Sequence, residues 1–290
     1  MSNSLERPLV FEVDGSPVVG VLHQPAFAPN IGIIMVAAGG PQYHVGCSRQ
    51  LLSWGRKFAD SGIAVLRFDY RGMGDSGGVF KGFEHIDDDL RSAIDQLLVQ
   101  QPSIQQVVLW GGCNAASAIL MYAWKDSRIK HVIVLNPWVY TEAAEARVQV
   151  KYYYLQRLMQ KSFWLKLLSG KLNPYQTGRS LLAAINKMRS TSESTFAAQG
   201  NTRSEGISFI DKMFIGLDRY QGRMLLLLSG QSLDAQQFDA TAASSKPRQQ
   251  SLAKVNLMRQ VLPDAGLTFS TRESQTAAFS AALSWLKKSD

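Results

Sequence analysis

The sequence lacks the features that define several protein classes. Two of its 290 residues are cysteine, too few for a disulfide framework or a cysteine-based zinc site. No unbroken apolar run reaches the roughly 18 residues that span a bilayer. The first residues, MSNSLERPLVFEVDG, lack the basic and then apolar profile of a secretory signal. We therefore predict a globular, cytoplasmic protein in which each cysteine needs its own explanation.

Runs of basic residues are also missing, although the net charge is +8. Neither zinc-finger spacing nor an RNP-like aromatic motif accompanies this charge, so no nucleic-acid partner is expected. Residues 138–222 hold 12 Lys and Arg against 6 Asp and Glu, which places six of the eight net charges in that segment. Its aromatic and basic stretch 151–171 fits a cap helix packed over a site, attraction of an anionic substrate, or peripheral contact with a membrane surface.

Apolar runs alternate with helical patterns along most of the chain. Asp14-Gly15 predicts a hairpin turn between two short strands within 8–23. This alternation predicts an α/β protein whose mostly parallel sheet has helices on both faces. Residues 138–222 lack buried strands, so we predict a helical cap inserted between core segments 1–137 and 223–290. Later strands are predicted at 31–38, 63–68, 107–111, 131–136, 224–230 and 255–261, and helices at about 47–61, 83–100, 114–124, 247–258 and 272–288.

The stretch LWGGCNAA places Cys113 between a strand and a helix. A nucleophile at such a sharp turn tolerates only small residues two positions to either side, here Gly111 and Ala115. Cys113 would also begin a helix, where the helix dipole favours a thiolate. These features predict a nucleophile elbow, although a buried, unreactive cysteine at a close helix–strand contact is the alternative.

Two more loops follow predicted strands. In AAGGPQYHVG, Gly39 and Gly40 allow backbone amides to form an oxyanion hole with the amide of Asn114. In FDYRGMGDSGG, the glycines permit a tight loop, and we expect Asp69 and Arg71 to brace it by pairing. The second loop is interpreted as scaffold.

Together, GGPQYHVGCSRQ, FDYRGMGDSGG, FEHIDDDL, LWGGCNAASA, LLLLSGQSLDAQQF and LPDAGLTFS resemble the α/β-hydrolase superfamily and, within it, the exosortase A system-associated hydrolase 1 family. The resemblance covers essentially the whole chain. It implies an α/β-hydrolase fold with eight mostly parallel strands, a helical cap after the sixth strand, and a hydrolytic role beside a bacterial exopolysaccharide and protein-sorting system.

The catalytic residues depart from the hydrolase order of nucleophile, acid and histidine. His131 is the only histidine after Cys113, and it opens a strand, at the far end of the sheet. By the resemblance, Leu267 stands where the catalytic histidine is expected, and Ser232 stands at the acid position. Asp234 is the remaining acid candidate. His44 and His85 follow strands at the catalytic face, so each is a weak alternative base.

Two functions remain open. The first is hydrolysis of an ester, thioester or similar acyl bond by Cys113, with a small-molecule acyl substrate. The alternative is a catalytically impaired hydrolase-like protein that binds an acyl ligand or a partner of the exopolysaccharide system. No metal or organic cofactor is expected, because no His, Cys and carboxylate cluster has ligand spacing.

Overall fold

The computed structural model describes residues 4–38, 43–140 and 207–288. Residues 1–139 and 208–290 belong to one compact unit, which contains the sheet. Gly39 and Gly40 of the expected oxyanion hole lie outside the described residues, and so does the predicted cap between 141 and 206, including the basic stretch. None of the described helices is long and apolar enough to cross a bilayer.

Eight strands form a single sheet in the order β1-β2-β4-β3-β5-β6-β7-β8. The pairs β1–β2 and β2–β4 are antiparallel, and every other neighbouring pair is parallel. The mostly parallel eight-stranded sheet predicted from the sequence is therefore confirmed. The strands are β1 (Leu5–Val13), β2 (Ser16–Gln24), β3 (Ile31–Val36), β4 (Ala64–Phe68), β5 (Gln106–Gly112), β6 (Ile129–Leu135), β7 (Arg223–Ser229) and β8 (Asn256–Leu262).

The predicted turn joins β1 to β2. Asp14 and Gly15 have φ values of 47° and 74°, and two successive left-handed residues define the primed turn that matches the twist of a hairpin. An aspartate and a glycine accept this conformation more readily than other residues do. The first two strands are therefore fixed by local sequence.

Helices cover both faces of the sheet. They are α1 (Gln50–Asp60), α2 (Asp87–Gln100), α3 (Cys113–Tyr122), α4 (Phe209–Arg219), α5 (Leu233–Ala242), α6 (Lys246–Lys254) and α7 (Arg272–Lys287), with short 3₁₀ helices at Cys47–Arg49, Phe83–His85 and Ala123–Lys125. Because strand side chains alternate between faces, Ile33 and Met35 pack with α1 and α7, whereas Ile34 and Val36 pack with α2 and α3.

Two helices differ from the sequence predictions. The α5 helix was not predicted, and its weak amphipathic pattern explains the omission. The α4 helix lies inside the predicted cap range 138–222 yet packs closely on α3: a Cβ added at Gly216 would lie 2.0 Å from the Leu120 carbonyl oxygen. The core therefore resumes near residue 208 instead of 223.

Candidate active site

Cys113 lies at the point where β5 turns into α3. Its φ is 55°, a left-handed conformation that is strained for any residue with a side chain. A Cβ added at Gly111 would lie 2.7 Å from Ile119 Cδ1 and 3.1 Å from Ala115 Cβ. The small residues around Cys113 thus have a steric cause, and the turn has the geometry of a nucleophile elbow.

The Cys113 thiol is protonated at neutral pH. Burial raises its pKa to about 11, and the negative charges that Asp234 and Cys47 can carry act in the same direction. A hydrogen bond from the backbone amide of Asn114 opposes the rise but does not cancel it. The expectation that the start of a helix lowers the pKa of this thiol is therefore wrong, because the loss of hydration on burial has the larger effect.

Asp234 lies in the first turn of α5 and is half-buried. Its Oδ2 is fully enclosed and has no hydrogen-bond partner among the described residues. Burial raises the pKa of this carboxyl group. Ser232 caps the same helix, since its hydroxyl accepts the Asp234 backbone N–H at 3.2 Å. The structure thus gives Ser232 a structural role and leaves Asp234 as a carboxyl group whose charge is felt at Cys113.

Leu267 lies in the loop between β8 and α7, with its side chain 39% exposed. Its backbone oxygen accepts a hydrogen bond of 2.9 Å from Asn136 Nδ2. Asn136, buried and left-handed at the end of β6, also accepts the Ser229 backbone N–H at 2.9 Å. This asparagine, which sequence reasoning missed, ties together the segments after β6, β7 and β8. The signal in the sequence for this role was the position of Asn136, a polar residue directly after an apolar strand.

Asp69 and His44 form a close pair at the same end of the sheet. The carboxylate is fully buried, and its Oδ1 accepts the His44 backbone N–H at 2.5 Å. Its Oδ2 lies 2.7 Å from His44 Nδ1. The imidazole side chain is 12% exposed.

The expected pairing of Asp69 with Arg71 is wrong. Arg71 binds Asp89 instead, with Nη2 2.8 Å from Oδ2, and also pairs with Asp14. Asp89 is 1% exposed and lies in the first turn of α2. The loop 69–78 is therefore braced from two directions, by the β3 loop at Asp69 and by a helix at Arg71.

The remaining histidines lie elsewhere. His131 Nε2 is 2.9 Å from Gln106 Oε1, at the start of β5, so this ring is at the opposite end of the sheet from Cys113. His23 lies on β2, buried, and accepts a 2.8 Å hydrogen bond from Arg67 Nε. His85 ends a short helix that packs against α3, and within the described residues its ring makes no hydrogen bond to Cys113.

No group of three or more His, Cys, Asp and Glu side chains in the described ranges could hold a metal ion. Among the described residues, the elbow brings together Cys113, the Asn114 amide and Asp234, and Cys47 is near enough for its charge to act on the thiol. This set provides a thiol, an amide donor and a carboxyl group.

A mostly parallel eight-stranded sheet with helices on both faces and an elbow after β5 defines an α/β hydrolase. The model of the hydrolase family described as serine aminopeptidase, S33, matches residues 31–202, which is more than half of the chain. The chain belongs to this family. Comparison with curated proteins found no match.

Solved esterases have a similar fold. An esterase of Pyrococcus furiosus, PF2001, superposes with a TM-score of 0.63 and 13% identity, covering 99% of this chain and 91% of the other. A thermostable carboxyl esterase of Bacillus coagulans gives a TM-score of 0.62 and 14% identity, covering 98% of each chain. The α/β hydrolase GrgF of a Penicillium species gives the same TM-score, identity and coverage. At these identities the likeness concerns the fold.

Proposed function

We propose that this protein hydrolyses an ester, thioester or similar acyl bond and that Cys113 is its nucleophile. The observation that carries the proposal is the strained backbone of Cys113, at a φ of 55°. Such strain persists only where the surrounding structure enforces it, and it gathers at functional sites. Here the packing of Gly111 against Ala115 and Ile119 enforces it.

The reaction would proceed in two stages. In the first, Cys113 Sγ attacks the carbonyl carbon, and the amide of Asn114, with amides of the Gly39–Gly40 loop, holds the oxyanion. The leaving group then departs with a proton, and an acyl thioester remains on Cys113. In the second stage, water attacks the thioester, the acid is released and the thiol is regenerated. Because the thiol pKa is about 11, both stages need a group that moves the proton.

The triad of the family has been altered in this chain, in our interpretation. Leu267 stands where the resemblance places the histidine, and a leucine accepts no proton. Asp234 supports this view, since its enclosed Oδ2 has no hydrogen-bond partner among the described residues, as an acid that has lost its histidine would. We also propose, from the sequence resemblance, that the substrate is a small acyl compound of an exopolysaccharide and exosortase system.

A second candidate function is that of an impaired hydrolase that binds an acyl ligand or a partner without turnover. The raised pKa of the thiol favours it, because a protonated thiol is a weak nucleophile. In this version the elbow would be a remnant of an ancestral site.

Turnover of p-nitrophenyl esters and acyl thioesters by the purified protein separates the two functions. Cys113→Ala is expected to abolish turnover, and Cys47→Ala, which alters the other half-buried thiol, is expected to retain it. Mass spectrometry after a rapid quench should find the acyl group on Cys113. Rates for the wild type and Cys113→Ala that both equal the uncatalysed background would refute hydrolysis, and saturable binding of an acyl analogue would then support the second function.

A further inference from the structure

We propose that His44, oriented by Asp69, is the base that activates Cys113. The inference rests on the proposed acyl hydrolysis. It moves the acid and base of the reaction from the loops after β7 and β8 to those after β4 and β3. Asp69 thereby acquires a positioning role in place of the purely structural one expected from its loop.

The hydrogen bonds of the pair determine which ring nitrogen is available. Asp69 is fully buried, and a carboxylate accepts hydrogen bonds, so His44 Nδ1 carries the proton that Asp69 Oδ2 receives at 2.7 Å. With Nδ1 as the donor, Nε2 is the ring nitrogen that can accept a proton, and no hydrogen bond within the described ranges occupies it. A buried carboxylate that fixes the tautomer and direction of an imidazole has the same role in serine hydrolase triads.

The register of the sheet places this pair at a suitable distance from the nucleophile. Phe68 on β4 is aligned with Val36 on β3, and Val36 is aligned with Gly111 on β5. With strands about 4.8 Å apart, Asp69 and the elbow are separated by about 10 Å across the sheet edge. The strand between them is β3, and the loop after β3 carries His44. Two hydrogen bonds of about 2.6–3.2 Å through one imidazole, together with the side chains of Asp69 and Cys113, can span a separation of this size.

The loop that carries His44 also comes near Cys113 through a second residue, Cys47. Cys47 follows His44 by three residues, and its charge contributes to the raised pKa of Cys113. The segment 43–47 therefore contains both the partner of Asp69 and a group whose charge acts on Cys113. Asp69 also binds the backbone N–H of His44, which fixes the position of the main chain as well as that of the ring.

Other titratable groups near the pair do not compete with it as bases. Burial, and next the positive charge of Arg67, lower the pKa of His23 to about 4, and the charge of His44 contributes to the shift. His23 Nε2 accepts the hydrogen bond from Arg67 Nε, so this lone pair is already used. Arg67 also interacts electrostatically with Asp69, and it remains charged at neutral pH.

The proton balance of the reaction follows from these assignments. As the bond from Cys113 Sγ to the carbonyl carbon forms, the thiol proton moves to His44 Nε2. The imidazolium, stabilised by Asp69, then gives this proton to the departing alkoxide or thiolate. In the second stage Nε2 takes a proton from the attacking water and returns it to the Cys113 sulfur as the thioester bond breaks.

The test is the pH dependence of ester turnover for wild type, His44→Gln and Asp69→Asn in the full chain. At pH 7, His44→Gln is expected to lose about 10²- to 10⁴-fold, the range of general acid–base catalysis. Its rate should then rise about tenfold per pH unit, and it should approach the wild-type rate near pH 11, where the thiol ionises unaided. Asp69→Asn should behave similarly, whereas Asp75→Asn, an exposed acid in the same loop, should match wild type.

Several results would overturn the inference. A loss in His44→Gln that stays constant up to pH 11 would show that the pair only positions the loop. Full activity of His44→Gln, combined with loss in Cys113→Ala, would leave acyl hydrolysis standing and remove His44 as the base. Loss in His85→Gln with His44→Gln unaffected would assign the base to His85. Equal rates for wild type and Cys113→Ala would refute the hydrolysis and the base together.

Discussion

Replacing Gly111 with alanine tests whether packing enforces the strained elbow. The new Cβ would meet Ile119 Cδ1 at 2.7 Å, the Ala115 carbonyl carbon at 3.0 Å and the Ala115 Cβ at 3.1 Å. Ile119 Cδ1 is the end of a flexible side chain, but the Ala115 carbonyl carbon belongs to the backbone of α3 and yields only if the helix shifts. Overpacking of this kind destabilises by about 1–3 kcal/mol.

Gly112 provides the matched control, one residue along the same strand. A Cβ added there would meet its nearest atoms, in Leu135, at 3.7 and 3.8 Å, which is ordinary contact. Its φ of −114° and ψ of 158° are open to any residue. Gly112→Ala is therefore expected to leave stability unchanged or to raise it by about 0.4–1 kcal/mol, since alanine reduces the entropy of the unfolded chain.

Urea denaturation, followed by circular dichroism, measures both effects. We expect Gly111→Ala to lower the free energy of unfolding by about 1–2 kcal/mol after the opposing entropy gain, while Gly112→Ala stays at or above wild type. Ester turnover by Gly111→Ala should also fall, because a shift of α3 moves Cys113 and the Asn114 amide relative to the loops around them. Identical unfolding midpoints for the two variants would refute the steric explanation of the elbow.

Three more predictions concern strain, a buried ion pair and acid stability. Cys113→Gly should have a free energy of unfolding about 1 kcal/mol higher than that of Cys113→Ala, because glycine relieves the left-handed strain. Equal urea midpoints for the two variants would mean that the turn is unstrained. Asp89→Asn should destabilise by about 2–3 kcal/mol because it removes the buried charged partner of Arg71 and leaves only the exposed Asp14, whereas Asp88→Asn, whose side chain is 54% exposed, should change stability by less than about 0.5 kcal/mol; similar losses would contradict this. His23 has a pKa of about 4 in the folded chain, against an ordinary value of 6.5. Between these pH values the unfolded chain binds one more proton than the folded chain, so the free energy of unfolding should fall by up to about 3 kcal/mol from pH 7 to pH 4. The same fall in His23→Gln would assign the effect to other groups.

The sequence indicated the fold well because its signals are local. Apolar runs predicted the strands of the parallel sheet, and Asp14-Gly15 predicted the hairpin turn. Residues of small size around Cys113 predicted a close strand-to-helix contact, and the clash at Gly111 shows the reason. In each case the pattern within a few residues reflects the geometry that those residues adopt.

The chemistry of the site depends on groups that are far apart in the sequence. Arg67 and Arg71 are the nearest cations to Asp69 along the chain, but the hydrogen-bond partner of Asp69 comes from the β3 loop, 25 residues earlier. The dipole of α3 was visible in the sequence, whereas the burial that raises the pKa of Cys113 arises from several loops together. Tertiary partners of this kind leave no trace in local spacing.

The raised pKa of Cys113 also bears on its resistance to oxidation. Peroxides and alkylating agents attack a thiolate much faster than a thiol. A cysteine that stays protonated up to about pH 11 is therefore expected to react slowly with such reagents at neutral pH. The same raised pKa that makes the half-buried Cys113 thiol a weak nucleophile also protects it from oxidation.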